Sequence, residues 1–305
     1  MAFLKLLQNI RTPFLDTLFL AVTKLGETEM TIIIMLPIFW CINKSLGYYM
    51  AFCDTYGLVI NQFLKGIFKV ARPWMRDSTL KTVEAAKPAA TGYSFPSGHT
   101  ANSVVLFGSL STGVKKFAVK TVFWLLAAAV AFSRLYLGVH SPADVFFSII
   151  ISIVLLILIN RLMKLSDKSA FADTLLVILP ILLGLGLVIY CNSTSDGSQL
   201  ALHGIKNAYT VLGISIGLAV SRIAERKFIN FDVKAPLPVQ FFKLIVGALL
   251  VFLIKTLLKA PLYSLFSGSN AADCVRYFLI IIFACLAWPA TFSFWTKLYH
   301  KIIKR

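Results

Sequence analysis

The sequence predicts an all-α, polytopic membrane bundle of about nine transmembrane helices. Three observations lead to this class. Of 305 residues, 58% are hydrophobic and only 14% charged, where a soluble domain carries nearer a quarter charged. The mean hydropathy is +0.80. Several uncharged apolar runs reach the roughly 18 to 20 residues that cross a bilayer. No charged leader with a short apolar stretch and a small-residue cleavage site precedes the first run, so no removable signal peptide is expected.

The elements follow in order. Residues 3–24 carry Lys5, Arg11, Asp16 and Lys24 among Phe and Leu, which suits helices lying along the interface. The clearest spans are predicted at 29–43, 118–139, 145–162, 174–191 and 277–296. Spans at 48–70, 99–114, 201–221 and 239–258 contain Gly, Ser, Asn or an occasional charge. A span sacrifices apolarity where its face lines a polar site. Asp54, inside 48–70, is an intramembrane ionisable group and thus a functional suspect by default, although its position assigns it no role. The GISIG stretch from Gly213 to Gly217 fits close helix packing. The five cysteines (Cys41, Cys53, Cys191, Cys274 and Cys285) lie in or beside apolar segments without CxxC spacing. They read as small hydrophobes, not as a disulfide or zinc framework.

Loop charges set the expected orientation. With nine spans, one side receives Lys44, then Lys115, Lys116 and Lys120, then Arg161, Lys164 and Lys168. Arg222, Arg226, Lys227 and Lys234 fall on the same side, as does the tail with Lys297, Lys301, Lys304 and Arg305. That side is expected to be cytoplasmic. The loops near 193–199 and 262–273 on the other side contain no Lys or Arg. Lys5, Arg11 and Lys24 argue mildly the other way but fit an interfacial helix. The net charge of +17 is then largely a topology signal, and nucleic-acid binding is not needed to explain it. The expectation is a multi-pass cell-membrane protein with an extracytoplasmic N-terminus and a cytoplasmic C-terminus.

Three short stretches carry chemistry: KGIFKVARP (Lys65 to Pro73), PSGH (Pro96 to His99) and SRLYLGVHSPAD (Ser133 to Asp144). In the predicted serpentine all of them meet one face of the membrane, the extracytoplasmic one. Lys65 and Arg72, seven apart, are predicted to project from one helix face before Pro73 ends the regular pattern. Arg offers phosphate oxygens a planar fork and Lys a point charge. Pro96 and Gly98 predict a tight turn into a helix, whose free N–H groups form an anion cradle with the Ser97 hydroxyl. His140 and Asp144 are four apart, so the carboxylate can accept from one ring nitrogen and leave the other as a nucleophile. The bland readings are an interfacial, snorkelling role for Arg72 and Arg134 and a helix-end role for His140 and His99. His203 and His300 lie outside any constellation. Lys69, Arg76, Lys81 and Lys87 share the loop between the second and third spans and read as a solvated loop, with contact to a substrate headgroup as the alternative.

Together the three stretches resemble the signature of the type 2 phosphatidic acid phosphatase family, which also contains the vanadium haloperoxidases. That pattern is Lys, six residues, Arg-Pro; then Pro-Ser-Gly-His; then Ser-Arg, five residues, His, three residues, Asp. This chain matches every defined position over residues 65–144. The resemblance implies a catalytic set of His140, His99 and Asp144. His140 would attack phosphorus and form a phosphohistidine, with Asp144 fixing its tautomer. His99 would protonate the leaving group and then activate water. Lys65, Arg72, Ser97, the Gly98 N–H and Arg134 would hold the phosphoryl oxygens. It implies no cofactor and no metal. The expected core is residues 1–165. Residues 166–305 form a four-helix extension of unassigned role, loosely similar in helix count to glucose-6-phosphatase and sphingosine-1-phosphate phosphatase.

The expected activity is hydrolysis of a lipid phosphate or diphosphate drawn from the membrane. Polyprenyl diphosphate, phosphatidic acid, phosphatidylglycerol phosphate and a sphingoid phosphate all fit. A lipid phosphotransferase and a sugar-phosphate phosphatase are alternative enzymes. A non-catalytic lipid transporter or scaffold is the alternative from another class.

Overall fold

The computed structural model of the chain describes residues 1–303. The helices are α1 (Ala2–Asn9), α2 (Pro13–Thr23), α3 (Thr28–Pro37), α4 (Lys44–Phe68), α5 (Pro73–Arg76), α6 (Gly98–Thr112), α7 (Phe117–Tyr136) and α8 (Pro142–Ser166). There follow α9 (Ala170–Ser193), α10 (Gln199–Ala224), α11 (Leu237–Leu257), α12 (Lys259–Leu265), α13 (Ala271–Ile282), α14 (Trp288–Ala290) and α15 (Phe292–Ile303). No strand occurs among the described residues. The protein is an all-α, multi-pass membrane protein. Lys304 and Arg305, two of the four tail cations, lie outside the described residues.

A helix stands at each of the nine predicted spans, but length and composition single out fewer as membrane-crossing. Six qualify, or up to seven if the broken pair Pro13–Gly26 and Thr28–Ile42 is one span. The shortfall has a physical reason. Lys44, Asp54 and Lys65 dilute α4, and α6 has only 15 residues, short of the roughly 20 that a bilayer requires.

The chain folds into two compact units. The first comprises residues 1–32, 56–161 and 189–205. Its innermost element is α6, buried along nearly its whole length, as expected of a helix without a polar face. Three of its buried serines are satisfied locally: Ser103, Ser109 and Ser111 donate to the carbonyls of Thr100, Leu106 and Gly108. Gly108 packs against the Leu156 side chain, which would have to shift to admit a Cβ at 2.4 Å. Residues 113–116 reverse the chain so that α7 packs back on α6, with the Phe107 and Phe123 rings 6.3 Å apart. Phe19 of α2 lies 4.3 Å from Tyr136 of α7, centroid to centroid. A small core of Ala86, Ala90, Tyr136, Leu137 and Val139, covered by Leu15, Phe19, Leu20, Trp74 and Val83, underlies the third motif.

Two flanking segments close this unit. At the N-terminus α1 buries Leu4 and Leu7. Lys5 pairs with Asp77 at 2.9 Å, and Arg11 donates to the carbonyls of Tyr136 and Lys81. At the other end the 189–205 segment returns to α4. There the Tyr190 hydroxyl donates to Gly66 O at 3.3 Å and Lys69 Nζ to Thr194 O at 3.2 Å.

The second unit comprises residues 33–55, 162–188 and 206–305. Its centre is Trp40, whose indole donates to Ala284 O at 2.8 Å. Gly247 on α11 lets Trp40 and Trp288 approach its backbone. Gly213 and Gly217 seat α10 on the backbone of α13, where a Cβ at Gly217 would lie 3.0 Å from Phe278 O. The GISIG stretch is thus a close-packing device. The buried Glu225 pairs with Lys44 at 2.7 Å and the buried Asp273 with Arg276 at 2.5 Å. All five cysteines are free.

Candidate active site

Four helix ends of the first unit meet at one place: the C-termini of α4 and α7, and the N-termini of α6 and α8. Lys65 lies in the last turn of α4 and donates to Tyr93 O at 2.5 Å. The helix stops at Phe68, and Lys69 adopts the left-handed conformation (φ 45°). Lys65 and Arg72 therefore do not share a helix face, contrary to the spacing argument. Arg72 has extended backbone (φ −62°, ψ 151°), because the residue before a proline is driven out of the α region. It reaches the site through the linker instead. Its Nε donates to Gly92 O at 3.0 Å, its Nη2 to Thr91 O at 2.6 Å and its Nη1 to Val139 O at 3.2 Å.

The PSGH stretch folds as its composition predicts. The Phe95–Pro96 peptide is cis, Ser97 is the N-cap, and α6 opens at Gly98. Ser97 Oγ accepts from Thr100 N at 3.4 Å and from Thr100 Oγ1 at 2.9 Å. With two acceptor positions taken, its own proton is free to donate outward. First-turn N–H groups have no intrahelical acceptor, and they carry the positive end of the helix dipole. Gly98 and His99 are the half-buried members of the set; Lys65, Arg72, Ser97, Arg134, His140 and Asp144 are buried.

The third stretch turns between α7 and α8. Gly138 makes the turn with φ +74°, and a Cβ there would lie 2.8 Å from Arg11 Nη2. Arg134, in the last turn of α7, is fully buried. Its Nη1 donates to Thr23 Oγ1 at 2.6 Å, while its Nε and Nη2 have no acceptor among the described residues. Arg72 Nη1 lies 2.9 Å from His140 Nε2. A guanidinium can only donate, so Nε2 accepts and the ring proton of neutral His140 sits on Nδ1. Nδ1 faces Asp144 Oδ2 at 3.5 Å, an electrostatic pairing longer than a good hydrogen bond.

The same Asp144 oxygen receives Ser94 Oγ at 2.6 Å and Ser141 N at 2.7 Å. Ser141 Oγ accepts in return from Asp144 N at 3.3 Å. This is a reciprocal cap at the start of α8, with Asp in the acidic position. Ser94, Ser141 and Thr23 escaped the sequence reading. Ser141 was findable, because Ser-x-x-Asp before an apolar run is a capping signature. No local signal marks Ser94 or Thr23.

Lys65, Arg72 and Arg134 all act electrostatically on His140, against one carboxylate, Asp144. Burial first, then the Arg72 charge, holds the imidazole well below its usual range, with Asp144 opposing. His140, in the loop between α7 and α8, is accordingly neutral at pH 7. Burial brings the Arg72 guanidinium down to about 10, again opposed by Asp144, so it stays charged. Among the described residues no three His, Cys, Asp or Glu side chains converge as metal ligands. The donors that do converge suit an anion. Lys87 forms a pair with Glu84 at 2.6 Å.

A model of the PAP2 superfamily matches residues 44–168, and a model of the PAP2 superfamily phosphatase transmembrane extension matches residues 209–301. The chain belongs to the PAP2 superfamily. The superfamily match encloses all three signature stretches, while residues 1–43, including Thr23, precede it. The chain is 30% identical over 168 residues to a probable sphingosine-1-phosphate phosphatase from Dictyostelium discoideum. That match covers 48% of this chain and 38% of the relative's length. The crystal structure of Aquifex aeolicus LpxE superposes with a TM-score of 0.47 at 27% identity, covering 52% of this chain and 92% of that one.

Proposed function

We propose that this PAP2 protein is a membrane phosphatase that hydrolyses a lipid phosphate or diphosphate through a phosphohistidine at the extracytoplasmic face. The observation that carries this reading is the His140 ring. It is neutral, protonated on Nδ1 towards Asp144, and presents Nε2 beside Arg72 among three cations. Arg72 exchanges its hydrogen bond to His140 Nε2 for one to a phosphoryl oxygen. The freed Nε2 lone pair attacks phosphorus, the bond from phosphorus to the leaving oxygen breaks, and a phosphohistidine forms. Lys65, Arg72, Arg134, the Ser97 hydroxyl and the Gly98 N–H hold the oxygens as charge develops. A bound phosphate dianion adds the negative charge that lets His99 carry a second proton. His99 gives that proton to the leaving oxygen, then takes one from water as water attacks the phosphohistidine. Inorganic phosphate leaves and His140 is restored. General acid–base help of this kind contributes about 10² to 10⁴ in rate.

The lipid class draws support from membrane embedding and from the name of the sphingosine-1-phosphate phosphatase relative. The cations take the place that a metal holds in other phosphatases, so activity is expected to survive chelation. The catalytic core is proposed over residues 1–165, with 166–305 as its extension.

The test is phosphate release in detergent with EDTA present, from a panel of lipid phosphates and glucose-6-phosphate, for wild type and His140→Ala. Wild type is expected to release phosphate, and the variant at least about 10³-fold less. Equal rates would show that His140 is not the nucleophile. No release from either protein would favour a transferase or a transporter.

A further inference from the structure

We infer that Thr23, which lies outside the signature and the matched superfamily region, is a positioning residue for phosphoryl transfer, aiming the Arg134 guanidinium at the substrate. The inference rests on the phosphatase reading above. Thr23 ends α2, and its side chain is buried. Its Oγ1 is the hydrogen-bond acceptor of the fully buried Arg134, through Nη1 at 2.6 Å. Nε and Nη2 are left without an acceptor among the described residues. They belong to a guanidinium within electrostatic reach of His99 and His140. One edge of the fork is thus fixed by a neutral hydroxyl, and its remaining donors are held for an oxyanion.

The residues after Thr23 continue the same wall of the site. Gly26 packs so closely on His99 that a Cβ would lie 2.7 Å from His99 O. Asn102 Nδ2 donates to Gly26 O at 3.3 Å. A carboxylate in the place of Thr23 would form a salt bridge and neutralise the cation. A hydroxyl orients the guanidinium and leaves its charge for the substrate.

The experiment measures kcat and KM for phosphate release from phosphatidic acid, or from another substrate that the panel identifies. The variants are Thr23→Val, Thr23→Ser, Arg134→Lys and the double variant Thr23→Val/Arg134→Lys, each with its melting temperature. Thr23→Val is expected to lower kcat about tenfold, the scale of one lost hydrogen bond to a charged group, with KM within about twofold. Thr23→Ser, which keeps the hydroxyl, is expected to retain activity within about twofold. On the Arg134→Lys background Thr23→Val is expected to cost nothing further, since coupled residues are not additive. Wild-type kcat in Thr23→Val would overturn the proposal. So would full additivity, or a Thr23→Ser as impaired as Thr23→Val with a matching fall in melting temperature. If Arg134→Lys is itself fully active, the reading of the site falls and takes Thr23 with it.

Discussion

His140 stands among Lys65, Arg72 and Arg134, so its second proton is disfavoured by burial and by like charge together. The ring in the unfolded chain takes that proton near pH 6.5, whereas the folded ring does so well below it. The unfolded state therefore binds more protons as pH falls under about 6.5, and folding stability drops in that window. The slope is at most about 1.4 kcal/mol per pH unit for one group. Melting temperatures between pH 8 and pH 5 are expected to fall more steeply for wild type than for His140→Gln. Parallel curves would mean that His140 is protonated in the fold. At this scale the sequence was informative where spacing is short: His140 and Asp144 meet as their separation of four implies. The Ser94 contact on Asp144 was not legible, because fifty residues separate the two and only the fold joins them.

Helix ends, rather than helix faces, build the site. The sequence marked the Pro-Ser-Gly turn that opens α6, but it took Pro73 for the end of α4 and did not single out the Gly138 turn. It misjudged Arg72 because a seven-residue spacing reads as two helical turns only while the helix lasts, and this one stops at Phe68. Gly138 is the most exposed weakness of the arrangement. Its φ of +74° costs a side-chain residue about 1 to 2 kcal/mol, and a Cβ would also press on Arg11. Gly138→Ala is thus expected to lower stability by about 2 to 4 kcal/mol and to reduce phosphate release by shifting His140. Thermal denaturation and activity measured on one sample would check both effects, and an unshifted melting temperature would refute the strain.

For the molecule as a whole, hydropathy identified the class, and its blind spots are the helices that serve the site. The helix α4 spends apolarity on Lys44, Asp54 and Lys65, and α6 is only 15 residues long, so length and composition do not register them as spans. The proposed orientation depends on counting them. It is tested by single cysteines at Lys168 and Asp196 in a background with the five native cysteines replaced. An impermeant thiol reagent applied outside intact cells is expected to label Asp196→Cys and not Lys168→Cys. The reverse pattern would place the site in the cytoplasm.

The hydrogen bond from the Tyr190 hydroxyl to Gly66 O bears on how the protein is made. Every residue of the signature has been synthesised by Asp144, yet the unit that holds it takes in residues up to 205. Between the two, a ribosome must deliver the rest of α8 and nearly all of α9. For that interval the nascent chain carries the full set of reactive side chains with the end of α4 uncovered on one side. The unit that holds the signature is therefore completed by a segment made well after the signature itself.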